Sequence, residues 1–219
     1  MTCTTVNISE EYIMERKLEF DPDSHQYTVD GVPIPCVTDL VSILGEDLSK
    51  PDDVFELTLE AARERGTLLH GYLEHRMDGG DPEAYEIPDA YAGYVDAIEL
   101  YLAEHTFEPM LVETPLFSDC CGVEFAGTPD YVGGMDGTLT LCDYKFVSAV
   151  SKTRVGAQCN AYMTLLAGND CFPEQIRAVQ FLPDGTYRIY PVKDDNTDFE
   201  LCLQVWKTKN KLQPRGAIG

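Results

Sequence analysis

A stretch near the middle of the chain combines two carboxylates, a lysine and a glycine-rich turn. Asp130 comes first, the run 133–137 (GGMDG) follows, and the triplet Asp143-Tyr144-Lys145 lies in a β-prone segment. Glycine and aspartate in such a run are typical of a turn, so the segment holding Asp130 is predicted to pair with the strand holding Asp143. Side chains two apart on a strand share a face, which places Asp143 beside Lys145. The sequence therefore predicts two carboxylates and one lysine at one end of a hairpin.

These three side chains suit the hydrolysis of a phosphodiester. Carboxylate oxygens are good ligands for a divalent cation, and a lysine beside them suits an attacking water. The arrangement resembles the PD-(D/E)XK nuclease superfamily, in which an acidic residue precedes a D/E-x-K triplet on the next strand. Here the first part is the sequence TPD that ends at Asp130, and the second is the sequence DYK that ends at Lys145.

Two further motifs extend the resemblance from about Arg65 to Tyr162. Gln158 and Tyr162 form a Q-x-x-x-Y element, and His70 lies on an upstream helical segment, RGTLLHGYLEH. This combination is similar to the branch that includes the RecB nuclease domain, the CRISPR-adaptation nucleases and many phage exonucleases. The resemblance implies an α/β (α+β) fold with a restriction-endonuclease-like core, in which helices flank a mixed central β-sheet.

The length and periodicity of the chain predict its organisation. With 219 residues, the chain is expected to form one nuclease domain over 1–219, with an N-terminal β-hairpin extension over about 18–35. The helical segment 54–77 contains Gly66-Thr67, where a new helix is expected to start. Strands are predicted over 110–117, 123–132 and 138–146.

The resemblance implies a role for each residue of the motifs. Asp130, Asp143 and Lys145 would be catalytic, and Gln158 and Tyr162 would position the substrate. The metal ligands would be Asp130, Asp143, His70 and the backbone carbonyl of Tyr144. The cofactor is predicted to be Mg²⁺ or Mn²⁺, and the nitrogen ligand favours Mn²⁺ because Mg²⁺ prefers oxygen ligands.

Two residues have competing interpretations. An isolated histidine such as His70 is more often a partnered side chain at the edge of a core, but the RGT sequence before it and the family pattern favour a metal ligand. Glu113 lies among apolar residues on a predicted strand, where burial of a carboxylate is costly without a partner or a metal. Glu113 would therefore either complete the metal site or face solvent on an edge strand.

The strongly negative net charge is the main argument against an enzyme that acts on nucleic acid, since phosphate contacts come from lysine and arginine. The net charge is −22. Residues 1–144 contain 6 Lys and Arg against 31 Asp and Glu, whereas residues 145–219 contain 10 against 7. The basic residues that begin at Lys145 are predicted to form a local basic wall, in which Lys152 and Arg154 contact the substrate.

The cysteines and the N-terminus bear on the compartment. The first residues have neither a basic start nor an apolar segment, and no apolar run is long enough to span a membrane, which predicts a cytoplasmic protein. The thiols are then expected to be reduced, and six of them to be small core residues: Cys3, Cys36, Cys142, Cys159, Cys171 and Cys202. No iron–sulfur cluster is expected, because no cysteine follows Cys202 and Cys120-Cys121 is not a C-x-x-C motif.

The sequence thus predicts a metal-dependent deoxyribonuclease, and within the resembling branch an exonuclease is the commonest activity. Its substrate would be linear DNA, single- or double-stranded, in phage or prophage recombination, replication or repair, and a recombinase or a single-strand-binding protein is a possible partner. An endonuclease is not separable from an exonuclease on the sequence. A non-cleaving protein with a nuclease fold, and an acidic protein that mimics DNA or inhibits a partner, remain as alternatives from other classes.

Overall fold

The fold was analysed in a computed structural model that describes residues 16–22, 24–44 and 52–211, with the backbone alone over 52–60. Ten strands and five α-helices make up these residues. None of the helices in the described ranges is both long and apolar enough to cross a membrane. The strands are β1 (Leu18–Asp21), β2 (Gln26–Val29), β3 (Val32–Ile34), β4 (Phe107–Val112), β5 (Leu116–Cys120), β6 (Val123–Gly127), β7 (Tyr131–Met135), β8 (Thr138–Lys145), β9 (Gln175–Phe181) and β10 (Tyr187–Pro191).

A five-stranded mixed sheet forms the centre of the fold. Its strand order is β10-β9-β8-β7-β4, and only the pair β8 and β9 is parallel. The glycine-rich turn joins β7 to β8 as an antiparallel hairpin in which Tyr131 faces Cys142. The parallel pair requires a crossover, which a helix supplies. The predicted fold class, a mixed central sheet flanked by helices, is confirmed.

Helices cover both faces of this sheet. They are α1 (Val37–Val41), α2 (Asp52–Met77), α3 (Ala92–Glu104), α4 (Lys152–Ala167) and α5 (Thr197–Lys211). One apolar core joins α1, α4 and α5 to residues such as Val132 and Leu141. The other joins α2 and α3 to the alternate residues Tyr131, Cys142 and Tyr144. Because side chains alternate along a strand, Asp143 and Lys145 lie on the α4 side of β8.

Two small sheets lie outside the central one. Strands β1, β2 and β3 form an antiparallel sheet, and β5 pairs with β6. The first sheet is attached to β6 by a hydrogen bond from the Ala126 N–H to the Pro35 carbonyl (3.0 Å). A small apolar cluster of Tyr27, Cys36 and Ala126 fills the space between them. The N-terminal strands are therefore packed directly against the strand that leads to Asp130.

Several predicted boundaries are wrong. Helix α2 continues through Gly66 and Thr67 without a break, although a helix start was predicted there. The segments 110–117 and 123–132 are not single strands, because the chain leaves the central sheet between β4 and β5 and returns to it between β6 and β7. Both breaks place a carboxylate, Glu113 and Asp130 respectively, in a short link next to a strand end.

Most of the cysteines assigned to the core are buried. Cys36, Cys142, Cys159 and Cys202 are buried, as predicted, whereas Cys171 is only half-buried. Cys3 lies outside the described residues.

Helix α3 packs closely against the β9–β10 turn, and this contact leads to a prediction about stability. A Cβ atom at Gly93 would overlap the carbonyl oxygen of Pro183, which is backbone and cannot rotate away. We expect Gly93→Ala to lower the free energy of unfolding by about 1–3 kcal/mol, the usual cost of overpacking. Gly156→Ala on α4 is the matched control, because a Cβ there meets no atom within 4 Å. It should raise stability by about 0.5–1 kcal/mol. Urea denaturation of both variants checks the difference, and equal midpoints would contradict it.

Candidate active site

Asp130 lies in the short link between β6 and β7, directly before the strand that pairs with β8. The register places it beside Asp143, as the sequence predicts. The backbone N–H of Tyr144 donates a hydrogen bond to Asp130 Oδ2 (2.5 Å). This bond fixes the direction of a carboxylate whose side chain is only 12% exposed.

His70, Glu113 and Asp130 bring three ligand-type atoms together. His70 Nδ1 lies 3.4 Å from Glu113 Oε1 and 3.8 Å from Asp130 Oδ1. One donor atom from each residue lies within 4.8 Å of the others, and this is the only group of three such side chains found among the described residues. Helix α2, the link directly after β4 and the link directly before β7 each contribute one member. One nitrogen and two carboxylate oxygens at this spacing are a donor set that could hold a divalent cation.

The backbone at Glu113 has an unusual conformation. Its φ is +42°, a value that side chains other than glycine rarely adopt, and its N–H donates to the Asp130 carbonyl (3.2 Å). Such a conformation costs of order 1–3 kcal/mol and persists where the surrounding contacts hold it, as they do in turns and at functional sites. The Glu113 carboxylate contacts His70, although its side chain is still 31% exposed.

Asp143 and Lys145 form a buried ion pair next to this group. Lys145 Nζ lies 2.8 Å from both Asp143 oxygens and donates its hydrogen bond to Oδ1. Oδ2 is buried and has no hydrogen-bond partner within the described structure, although it keeps the ionic contact. Asp143 is not a member of the three-residue donor group. Its role as a ligand, and that of the Tyr144 backbone carbonyl, remain predictions.

The electrostatics of the site leave negative charge in excess. Burial raises the pKa of Asp143 to about 6 and the pKa of Asp130 above its usual value, although Lys145 and His70 act in the opposite direction. Burial lowers the pKa of Lys145, but the charges of Asp143 and Asp130 outweigh it and raise the pKa overall. Burial likewise opposes the protonated form of His70, but Asp130 and Glu113 raise its pKa. Carboxylates held this close and this deeply favour a bound cation.

Gln158 and Tyr162 lie one turn apart on α4, and their side chains meet. Gln158 Nε2 donates a hydrogen bond to Tyr162 Oη (3.1 Å). Both residues line the same cleft of about 630 Å³ as His70, Glu113, Asp130 and Lys145. The structure therefore brings the Q-x-x-x-Y pair to the place where the sequence predicts it.

Lys152 and Arg154 do not line this cleft. Both are exposed at the start of α4, and Lys152 lines a separate cavity beside β10 and the start of α5. Within the described part of the cleft, Lys145 is the only lysine or arginine, and it faces the carboxylates Glu74, Glu113 and Asp130. The predicted basic wall is therefore not a wall of this cleft.

Sequence reasoning missed the contribution of the N-terminal sheet. Phe20, His25 and Tyr27 line the cleft, and the hydroxyl of Tyr27 hydrogen-bonds the hydroxyl of Thr128 (2.7 Å), two residues before Asp130. The sequence shows a β-hairpin there but carries no signal for the element against which it packs. A contact between residues about 100 positions apart is not visible to local patterns.

The comparisons with known proteins found distant similarity only. No protein-family profile and no curated protein matches the chain. Among solved structures, SSO0001 is similar at 14% identity and a TM-score of 0.45, over 82% of this chain and 75% of that one. An alkaline exonuclease (LHK-Exo) from Laribacter hongkongensis is similar at 14% identity and a TM-score of 0.38, over 80% and 87%. LHK-Exo in complex with dAMP is similar at 13% identity and a TM-score of 0.42, over 82% and 90%. Identities and TM-scores this low describe a distant likeness of fold, so the residues of the cleft decide the function.

Proposed function

We propose that the chain is a metal-dependent deoxyribonuclease that hydrolyses phosphodiester bonds. The observation that carries this proposal is the donor group of His70, Glu113 and Asp130 in one cleft with Lys145, whose ammonium is paired with the buried Asp143. A purely structural ion pair would not require a strained glutamate and a histidine beside it. Two carboxylates, a nitrogen donor and a lysine around one cavity match the groups that phosphodiester hydrolysis uses.

The donor set fits a divalent cation. His70, Glu113 and Asp130 would hold Mg²⁺ or Mn²⁺. The Oδ2 atom of Asp143, which accepts no hydrogen bond in the described structure but contacts the Lys145 ammonium, is a further candidate oxygen ligand. A nitrogen ligand favours Mn²⁺ over Mg²⁺. When bound, the cation supplies charge neutralisation and acidifies a water molecule.

The side chains of the cleft then have separate tasks. The Lys145 ammonium orients the water that attacks phosphorus and stabilises the negative charge that develops on the phosphoryl oxygens as the P–O bond to the leaving group breaks. Asp143 holds that ammonium in place at 2.8 Å. The Tyr144 N–H keeps the Asp130 carboxylate aimed into the cleft.

The mode of cleavage is proposed from the sequence resemblance. The PD-(D/E)XK branch with a Q-x-x-x-Y element favours an exonuclease on linear DNA, acting in phage or prophage recombination, replication or repair. Gln158 and Tyr162, linked by their hydrogen bond, would position the strand next to Lys145. A recombinase or a single-strand-binding protein is the class of partner that such an activity would serve.

The test uses end-labelled linear DNA, single- and double-stranded, beside covalently closed circles. Each substrate is incubated with the protein in Mg²⁺, in Mn²⁺ and in chelator. We expect cleavage of linear DNA in either metal and none in chelator. Progressive release of nucleotides with circles spared establishes the exonuclease, whereas cut circles establish an endonuclease. If no substrate is cleaved in any metal, the proposal is wrong.

A further inference from the structure

Three aromatic side chains of the N-terminal sheet form one wall of the cleft. Phe20 lies on β1 and pairs with Tyr27 on the neighbouring strand β2, with ring centroids 4.5 Å apart and planes inclined by 29°. The His25 ring lies 5.3 Å from Phe20 at 83°. All three residues line the cavity that contains Asp130 and Lys145. The wall therefore consists of a stacked pair with a third ring at its edge.

The wall is fixed relative to the reacting groups. Tyr27 is almost fully buried, and its hydroxyl shares a 2.7 Å hydrogen bond with Thr128. Thr128 belongs to the same short link as Asp130. Because its ring is buried and its hydroxyl is bonded to Thr128, Tyr27 positions the wall but has almost no surface that a ligand can contact. A ligand that meets the wall meets a surface that is already ordered, which reduces the entropy lost on binding.

Phe20 and His25 are the members with accessible surface. Phe20, on β1, is half-buried, and His25, directly before β2, is exposed. His25 also has a φ of +53°, which is uncommon for a residue other than glycine. These two rings therefore present aromatic surface towards the cavity at the rim of the cleft.

The charged residues of the cleft provide little attraction for DNA phosphates, and an aromatic surface can bind the strand in another way. Phosphate contacts normally come from lysine and arginine, and Lys145 is the only such residue among the described residues of the cleft. Three carboxylates oppose it: Glu74, Glu113 and Asp130. Even after a divalent cation is added, little Coulombic attraction remains for neighbouring phosphates. Stacking of a base on an aromatic ring does not depend on this charge balance.

We propose that Phe20 and His25 form a stacking surface for a nucleobase of the DNA strand whose phosphate reaches Asp130 and Lys145. The inference rests on the proposed nuclease function and names how that site holds its substrate. Every base has an aromatic face, so the surface selects single-stranded DNA over paired bases without selecting a sequence. The surface binds the strand through a base, because the cleft has few cationic side chains to contact the phosphate backbone.

The competing explanation is that the rings only support the hairpin. Phe20 packs with Leu18, Ile34 and Phe117 around the cluster of Tyr27, Cys36 and Ala126. A purely supporting ring would affect stability and would affect all ligands equally. A stacking ring would affect only ligands that carry a base at the contacted position.

The experiment measures binding in chelator, where cleavage plays no part. Short fluorescent single-stranded oligodeoxynucleotides carry either an adenine or an abasic residue at the 5′ end or at the 3′ end. Their affinities are measured by anisotropy for the wild-type protein, Phe20→Leu and Phe20→Trp. Phe20→Leu keeps apolar volume without an aromatic face, and Phe20→Trp enlarges that face. Val32→Ala is the matched control, because Val32 is 62% exposed on the same sheet and does not line the cleft.

We expect wild type to bind the base-bearing oligonucleotide about tenfold more tightly than the abasic one at one of the two ends. Phe20→Leu should remove this preference and leave the affinity for the abasic oligonucleotide unchanged, and Phe20→Trp should retain it. Val32→Ala should behave as wild type. The inference is overturned if wild type shows no preference at either end, or if Phe20→Leu weakens both oligonucleotides equally.

This outcome is separate from that of the proposed function. A protein that cleaves DNA in Mn²⁺ but shows no base preference is a nuclease without this stacking surface. A protein that shows the Phe20-dependent preference but never cleaves DNA binds single strands by stacking, and the nuclease proposal alone fails.

Discussion

Lys145→Gln should reduce the rate constant of DNA cleavage about 10²–10³-fold, with a much smaller change in KM. The amide retains a donor for Asp143 but removes the positive charge beside the attacking water and the phosphoryl oxygens. Loss of one preorganised group that stabilises transition-state charge typically costs this factor in kcat. Single-turnover cleavage of end-labelled DNA at saturating Mn²⁺ measures the chemical step directly.

Glutamine is chosen at position 145 because it disturbs folding less than an apolar residue would. Asp143 is fully buried, and Lys145 is the residue that forms an ion pair with it in the described part of the chain. Replacing Lys145 with an apolar residue would leave an uncompensated carboxylate, which commonly costs about 3–5 kcal/mol. Circular dichroism and the urea midpoint establish that the variant is folded. Lys209→Met, at an exposed position on α5 that does not line the cleft, removes a positive charge and should leave the rate unchanged. If Lys145→Gln cleaves at the wild-type rate, Lys145 has no catalytic role.

The local part of the site could be predicted from the sequence because its geometry is set over short distances. The glycine-rich turn determines that β7 pairs with β8, and the register of that hairpin places Asp130 beside Asp143. The two-residue period of a strand then places Lys145 on the same face as Asp143. Helical spacing does the same for Gln158 and Tyr162. Each of these relations is carried by fewer than about twenty residues of sequence, which is the range over which turn and periodicity signals act.

The remaining parts depend on tertiary packing that leaves no local signal. Glu113 contacts His70 from a backbone position with a positive φ next to Asp130, a conformation for which glutamate has no preference and which the sequence does not signal. Helix α2 passes through Gly66 because packing on the central sheet outweighs the weak helix propensity of glycine, about 1 kcal/mol. The wall of Phe20 and His25 arises from a sheet more than 90 residues away from Asp130 in the chain. Charge counts were misleading for a related reason, since a basic stretch of sequence need not face the cleft.

Asp130→Asn should weaken Mn²⁺ binding at least about 100-fold. Even residues that only orient a metal ligand change affinity about 10–100-fold when replaced, so loss of a central carboxylate should exceed that range. Asp130 is the most deeply buried member of the donor group, and the Tyr144 N–H already orients it. His70→Ala and Glu113→Gln should each weaken binding by a smaller factor, because each removes one donor and leaves Asp130 in place. Isothermal titration calorimetry with Mn²⁺ in the absence of DNA measures all three without any reference to catalysis.

Glu74→Gln separates ligation from general attraction of a cation by an acidic cleft. Glu74 lines the same cavity one turn beyond His70 on α2, but it is not a member of the donor group. Glu74→Gln removes the same charge as Glu113→Gln from the same cleft. Because Glu74 supplies no atom to the donor group and charges across an open cleft are screened by water and salt, this substitution should leave the Mn²⁺ affinity within about twofold of wild type. If Glu74→Gln and Glu113→Gln weaken binding equally, the cation is held by diffuse negative charge, and the assignment of His70, Glu113 and Asp130 as its ligands is wrong. If only the three donor variants respond, the strained backbone at Glu113 has a function, because it brings the third ligand to a site that the β7–β8 hairpin and α2 leave incomplete.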